Sequence, residues 1–231
     1  MQLKPIIQST AKRARVGTLL PLALVTRLYG GTDKWAHGYT PFYERHVGAR
    51  RWRSNRILEI GVGGYASPAP SGSLRIWRDY FPLSNVVGLD IEPKSVSLGK
   101  RVGFVRGDQA CPDDLDQAVE ALGGPPNIVI DDGSHYIGHA IASFEYLFPL
   151  MPSGSVYVVE DIHTSYWEDF GGQIEPHETT AVGMAKGLIH SVQARDTTFA
   201  LHAEWAPTPK FDRADVAALH VYPGIFFVEK G

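Results

Sequence analysis

Two short apolar runs in this sequence end in paired acids. Residues 128–132 read Ile-Val-Ile-Asp-Asp, and residues 156–161 read Val-Tyr-Val-Val-Glu-Asp. Runs of this length, rich in β-branched residues, are the pattern of buried strands. If the two strands are neighbours, Asp131, Asp132, Glu160 and Asp161 converge at one end of a sheet. Four carboxylates that close cannot all stay ionised without a partner. Either some hold protons or a cation sits among them. A set made only of carboxylates suits Mg²⁺, Mn²⁺ or Ca²⁺ rather than zinc. The competing reading is that the acids cap turns and bind loop amides. His135 follows Asp132 by three residues. A neutral imidazole there can act as a general base. His163, two residues after Asp161, competes for that role.

A second constellation begins at Glu59. The segment Glu-Ile-Gly-Val-Gly-Gly at 59–64 follows a short apolar run at 56–60. Gly61 and Gly63 let the backbone turn tightly and approach a ligand closely. With Ala66 the segment also matches G-x-G-x-x-A, so a nicotinamide cofactor must be weighed. Two details favour S-adenosylmethionine (SAM). Glu59, two residues before the first glycine, suits the cationic amino-acid end of SAM better than a pyrophosphate. The loop at 65–71 is long and carries two prolines, whereas a pyrophosphate needs a helix N-terminus directly at the glycines. Asp90 ends a further strand at 86–90 and can accept hydrogen bonds from both ribose hydroxyls, for SAM or NAD alike. Otherwise it caps the strand end. Asp108 follows a very short strand at 104–105. It can accept from the adenine amino group or serve as a turn residue. Gln109, beside it, is placed on the same cofactor side.

The elements that must position these residues follow from the rest of the pattern. Helices are expected at 73–81, 112–122, 139–150 and 181–194. Pro112 at a helix start and Gly123 at its end are particularly clear signals. The runs 217–222 and 225–229 flank Pro223-Gly224 and read as a terminal β-hairpin. Apolar strands alternating with helices imply an α/β fold with a mainly parallel sheet covered on both faces. Ligands in such sheets bind beyond the carboxyl ends of the strands. Residues 1–30 read as an N-terminal extension with helical segments, and 31–231 as the main domain. Lys12, Arg13 and Arg15 precede an apolar run at 16–25, which is too short to span a bilayer. That extension is expected to form a surface or oligomer-contact helix, so a homo-oligomer is one expectation.

Composition bounds the partners. The 231 residues are 44% hydrophobic and 20% charged, ordinary values for a globular chain. A net charge of -3 offers no footprint for nucleic acid. Cys111 is the only cysteine, so neither an intrachain disulfide nor a thiolate zinc site is available. The expected location is a reducing one, the cytoplasm, with no integral membrane insertion.

Taken in order, eight segments resemble the metal-dependent sugar O-methyltransferases of actinobacteria, of the macrocin and mycinamicin type. They are YGGTDK at 29–34, YTPFYERH at 39–46, LEIGVGG at 58–64, GSLRIW at 72–77, RGDQ at 106–109, IDDGSH at 130–135, VVED at 158–161 and TSYW at 164–167. The resemblance implies the class I SAM-dependent methyltransferase fold, a Rossmann-like sheet with a C-terminal antiparallel hairpin. It implies Mg²⁺ or Mn²⁺ on Asp132 and Asp161, with Glu160 close by, and His135 as the base. Glu44 falls in a matching segment and is a candidate to reach the cation or the substrate. Tyr166 and Trp167 are candidates to pack against the apolar face of a sugar. The macrolide enzymes carry a long N-terminal auxiliary domain with no counterpart in these residues. That turns the expected acceptor toward a mannose-type oligosaccharide of the kind found in the methylmannose polysaccharides of mycobacteria. A natural-product deoxysugar is the alternative. Two rivals remain: an NAD-dependent dehydrogenase, which leaves the carboxylates unexplained, and a SAM-binding scaffold without activity.

Overall fold

The computed structural model describes residues 19–63, 72–194 and 215–231. Seven strands form one sheet: β1 (Arg56–Ile60), β2 (Asn85–Asp90), β3 (Val102–Arg106), β4 (Ile128–Asp131), β5 (Val156–Val159), β6 (Val216–Tyr222) and β7 (Ile225–Lys230). Their spatial order is β3-β2-β1-β4-β5-β7-β6. The pairs from β3 through β5 are parallel. β7 runs antiparallel to both β5 and β6. This is the mainly parallel sheet with a terminal hairpin that the sequence pattern implied. β1 lies between β2 and β4, where the strand order reverses, so a crevice opens beyond its carboxyl end.

Side-chain alternation assigns each face its own core. Ile57, Val86, Ile128, Ile130, Val156, Val158, Ile225 and Phe227 point to one side. There they meet α1 (Leu22–Tyr29), α2 (Thr40–Val47) and α3 (Ser73–Tyr80) through Leu22, Val25, Tyr43, Val47, Leu74 and Trp77. Leu58, Ile60, Val87, Leu89, Val129, Tyr157, Val159 and Phe226 point to the other. They meet α4 (Pro112–Leu122), α5 (His139–Leu150) and α6 (Ala181–Gln193) through Leu115, Phe144, Leu147, Met184 and Leu188. Local signals set the helix ends. Pro112 opens α4, and Gly123 closes it in the left-handed region at φ 81°. Thr180 caps α6, its hydroxyl accepting from the Gly183 amide at 3.0 Å.

Two differences from the sequence pattern have physical causes. β3 has five residues rather than two, because its ladder with β2 runs from Val86↔Val102 to Asp90↔Arg106. As an edge strand it is only partly buried and carries Gly103 and Arg106, so it shows no apolar run. The described part of the expected N-terminal extension is core rather than appendage: Leu22 and Val25 are fully buried. Residues 1–18, with the basic Lys12, Arg13 and Arg15, lie outside the described residues, as does the loop at 65–71. Among the described residues no helix is long and apolar enough to cross a membrane.

The period of two also separates the neighbouring acids at the end of β4. Asp131 turns toward α5 and is buried. It accepts from Ser143 Oγ at 2.6 Å, Tyr157 Oη at 2.9 Å and Gln109 Nε2 at 3.0 Å. This carboxylate joins β4, α5, β5 and the loop after β3. Asp131→Ala removes the shared acceptor of three buried donors, of which Ser143 and Tyr157 keep alternative acceptors, and we expect a loss of about 1–3 kcal/mol. Urea unfolding measures it, and an unchanged midpoint contradicts the assignment.

Candidate active site

At the carboxyl end of the sheet three acids share the face opposite Asp131. Glu59 on β1, Asp132 after β4 and Glu160 after β5 converge on Lys34, which comes from the loop between α1 and α2. The Lys34 ammonium donates to Asp132 Oδ2 at 2.6 Å and to Glu160 Oε1 at 2.7 Å. Glu59 Oε1 lies 3.6 Å away. Lys34 is 1% exposed. Burial alone would lower its pKa, but Asp132, Glu160 and Glu59 outweigh it and hold the ammonium well above its usual range. The acids feel the reverse balance. Burial, and then Asp132, push Glu160 up to about 8, against the pull of Lys34 and of the Tyr43 hydroxyl that donates to it. Burial likewise raises Asp132, with Lys34 opposing.

Each pair of acids is thus split into a member held by the core and a member turned to the cavity. Asp131 and Glu160 are held. Asp132 and Asp161 each have one oxygen anchored and one presented. Asp132 anchors Oδ2 on Lys34. Asp161 anchors Oδ1 on Tyr39 Oη at 2.6 Å. The other two oxygens face His135: its Nε2 lies 3.9 Å from Asp132 Oδ1 and 3.7 Å from Asp161 Oδ2. Asp132, His135 and Asp161 therefore surround one point with the spacing of a metal-binding set. Two of the three stand on strained backbone. His135 at φ 56° and Asp161 at φ 51° are the non-glycine residues with positive φ among the described residues. Such conformations cost on the order of 1–3 kcal/mol and concentrate at functional sites. His37 Nδ1 adds a contact to Asp161 Oδ1 at 3.3 Å.

The cluster forms one wall of a cavity of about 610 Å³. Gly61, Gly63, Asp90, Asp108 and Gln109 line it as expected. Gly61 has φ 77°, and a Cβ there would strike the backbone of Asp132, so the glycine is what lets β1 turn against the acid loop. Asp90 Oδ2 accepts from the Val62 amide and Oδ1 from the Glu92 amide, both at 2.9 Å. The carboxylate is thereby aimed while keeping lone pairs for a ligand. Asp108 Oδ1 accepts from the Ala110 amide at 2.8 Å. Gln109 is spanned between Asp131 and the Ser134 amide, so it supports the acid loop while lining the cavity. These carboxylate acceptors fit a nucleoside with free ribose hydroxyls, which donate to them.

Other expected residues stand elsewhere. Glu59 does not line the cavity: it is fully buried, accepting from Ser73 Oγ at 2.8 Å and Trp77 Nε1 at 3.0 Å. Glu160 stands apart from the Asp132–His135–Asp161 cluster, because Lys34 and Tyr43 hold it. Glu44 does not approach the acids. One oxygen accepts from the Leu22 amide at the start of α1 and the other from Tyr80 Oη. It is a brace between helices. Tyr166, at the end of a short 3-10 segment beyond Asp161, and Trp167, just after it, are half-exposed and outside the cavity wall. His163 packs edge-on against Trp167 at 4.8 Å, and it too is outside the wall. Lys34, Tyr39 and Tyr43 were not read from the sequence. Their segments were matched, but a lone lysine in a loop, or a tyrosine at the edge of or within a short polar helix, carries no sign of burial.

The whole chain can be set against known proteins. No family model matches it. It is 42% identical over 211 residues to mycinamicin VI 2''-O-methyltransferase of Micromonospora griseorubida, covering 90% of this chain and 52% of that one. It is 42% identical over 205 residues to demethylmacrocin O-methyltransferase of Streptomyces fradiae, covering 87% and 51%. It also matches 8-demethyl-8-alpha-L-rhamnosyl tetracenomycin-C 2'-O-methyltransferase of Streptomyces olivaceus, at 42% over 207 residues, covering 87% and 52%. The chain belongs to the macrocin and mycinamicin type of sugar O-methyltransferase family. Among solved structures it superposes on the MycE methyltransferase of the mycinamycin pathway in complex with Mg, SAH and mycinamycin VI, with TM-score 0.79 and 39% identity. That match covers 92% of this chain and 54% of the other. The fold is accordingly the class I SAM-dependent methyltransferase fold. The chain spans about half the length of the curated relatives it matches. The acceptors in those relatives' names are mycinamicin VI, demethylmacrocin and a rhamnosyl tetracenomycin-C, and none is a mannose oligosaccharide.

Lys34→Met tests the charge cluster directly. Without the ammonium, Glu59, Asp132 and Glu160 face one another in a buried space. The expected loss is about 3–5 kcal/mol at neutral pH. The deficit should shrink as pH falls, because acids raised by burial and mutual repulsion take up protons in the folded state. Chemical denaturation at pH 5 and pH 8 measures both. Equal stability of variant and parent at pH 8 contradicts the role.

Proposed function

We propose that this chain is an enzyme that transfers a methyl group from SAM to a hydroxyl of a sugar, with Mg²⁺ or Mn²⁺ bound. We take the acceptor to be a deoxysugar attached to a polyketide natural product. The observation that carries the reading is the pair of presented oxygens, Asp132 Oδ1 and Asp161 Oδ2, facing His135 on the wall of a cavity whose other wall holds Asp90 and Asp108. Hard carboxylate donors suit Mg²⁺ or Mn²⁺. The relatives named above and the Mg and SAH complex of MycE support the same cofactor pair.

When bound, the divalent cation supplies Lewis acidity toward the acceptor hydroxyl, and SAM supplies the methyl group. The residues of this chain do the rest. Asp132 and Asp161 hold the cation through their presented oxygens. Lys34 and Tyr39 keep those oxygens in place by fixing the opposite ones. Asp90 and Asp108 orient the nucleoside, and Gln109 keeps the acid loop in register. His135, whose ring faces the same space, would take the proton of the acceptor hydroxyl, while bound SAM would supply the methyl group and keep the electron pair of its C–S bond on sulfur. His163 is poorly placed for this, since it is outside the cavity wall. A dehydrogenase would have no use for the two presented acids, and an inactive scaffold none for a histidine held between them on strained backbone.

Methyl transfer from labelled SAM to a panel of deoxysugar glycosides and mannose oligosaccharides tests the reading. Label should reach the deoxysugar arm, disappear in excess chelator and return with Mg²⁺ or Mn²⁺. Turnover that persists in chelator contradicts the cation, and label only in the mannose arm contradicts the acceptor. His135→Ala should lower turnover by about 10²–10⁴-fold with SAM affinity retained. Asp90→Ala should instead weaken SAM binding by about 1–3 kcal/mol in calorimetry.

A further inference from the structure

Away from the cavity, two imidazoles and a carboxylate converge on the outer part of the terminal hairpin. His46 lies in the last turn of α2, His220 on β6 and Glu229 near the end of β7. Residues 225, 227 and 229 share one face of β7, and His220 lies opposite Phe227 in the ladder. All therefore point toward α2, whose His46 ring stacks on Phe227 at 4.5 Å. Glu229 pairs with Val156 at the start of β5, while Phe226 pairs with Val159 at the cavity end. Three residues of strand, about 10 Å, separate the two ends. This cluster is distinct from Asp132, His135 and Asp161.

We propose that His46, His220 and Glu229 form a second metal site, for a divalent first-row transition ion of the zinc class, that clamps the terminal hairpin to α2. His220 Nε2 lies 3.1 Å from Glu229 Oε1, and His46 Nδ1 lies 3.6 Å from the same oxygen. Ligands of a tetrahedral zinc ion with bonds of about 2.0–2.1 Å stand about 3.3 Å apart, so the donor atoms need little movement. All three donors lie within 4.8 Å of one another. Two imidazoles and one carboxylate are the donor set of zinc and its neighbours rather than of Mg²⁺. Tyr222 Oη lies 3.0 Å from His46 Nε2. With Nε2–H donated there, Nδ1 presents its lone pair to the ion, the outer hydrogen bond common to ligating histidines. Arg45 donates to the same Tyr222 hydroxyl at 3.3 Å, favouring its acceptor role. The His46 side chain is buried, while His220 is about one-third exposed and Glu229 about two-fifths, leaving an entry path and a fourth position for water.

The clamp joins two elements that meet again at the proposed active site. Tyr39, at the N-terminal boundary of α2, donates to Asp161 and has its hydroxyl 3.1 Å from Gly224 O in the hairpin turn. Tag-free protein stripped of metal is titrated with Zn²⁺ against a chromophoric chelator, and with Co²⁺ to read tetrahedral visible bands. One tight equivalent and those bands are expected in the parent and in an Asp132→Asn/Asp161→Asn double variant. In that double-variant background both should be lost on adding His220→Ala or Glu229→Gln. Tyr222→Phe should bind about 10- to 100-fold more weakly. Zn²⁺ should raise Tm in the parent and not in His220→Ala. An equivalent that survives His220→Ala in the double-variant background, or that vanishes in the double variant alone, overturns the site. Zinc binding without a rise in Tm overturns the clamp.

Discussion

A single buried ammonium organises the carboxyl end of this sheet. Parallel strands that end in acids bring like charges together where water is scarce, and such groups resist being ionised side by side. Lys34 resolves the conflict by sitting among Glu59, Asp132 and Glu160 with almost no exposure. Its own burial is tolerable only because three carboxylates surround it. The lysine comes from the loop before α2, so the first helices are part of the site's foundation. Tyr39 and Tyr43 extend the same logic, each donating a hydroxyl to one of the acids at the strand ends, Asp161 and Glu160.

The consequence is a division of labour among similar residues. Side-chain alternation sends Asp131 into the α5 face, where Ser143, Tyr157 and Gln109 absorb its charge. Lys34 and Tyr43 absorb Glu160. What remains are one oxygen of Asp132 and one of Asp161, both turned to His135. Positive φ at His135 and Asp161 is the conformational cost of turning those side chains back over the strand ends. The close approach of Gly61 to the Asp132 backbone completes the geometry, linking the cofactor loop to the acid loop.

Much of this was legible in the sequence, because the signals were local. The bounds of β1, β4, β5, α4 and α5 follow from apolar runs, Pro112 and Gly123. Asp90, Asp108, Gly61 and Gly63 line the cavity because residues just beyond parallel strands face the crevice. Long-range contacts were not legible. Nothing near Lys34 in the chain says that it is buried 98 residues away against Asp132. Glu44 and Glu59 looked functional by position, yet pairing with Leu22 and Tyr80, and with Ser73 and Trp77, consumes them. β3 was read too short because an edge strand need not be apolar.

The presented oxygens of Asp132 and Asp161 are proposed to make one cation site. Mn²⁺ binding followed by electron paramagnetic resonance tests this without any acceptor substrate. A Mn²⁺ equivalent is expected in the parent protein, with competition by Mg²⁺. It should be lost in Asp132→Asn and equally in Asp161→Asn, and retained in Glu44→Gln. Unchanged Mn²⁺ binding in both aspartate variants would contradict the account, because the two oxygens would then have no common ion to hold.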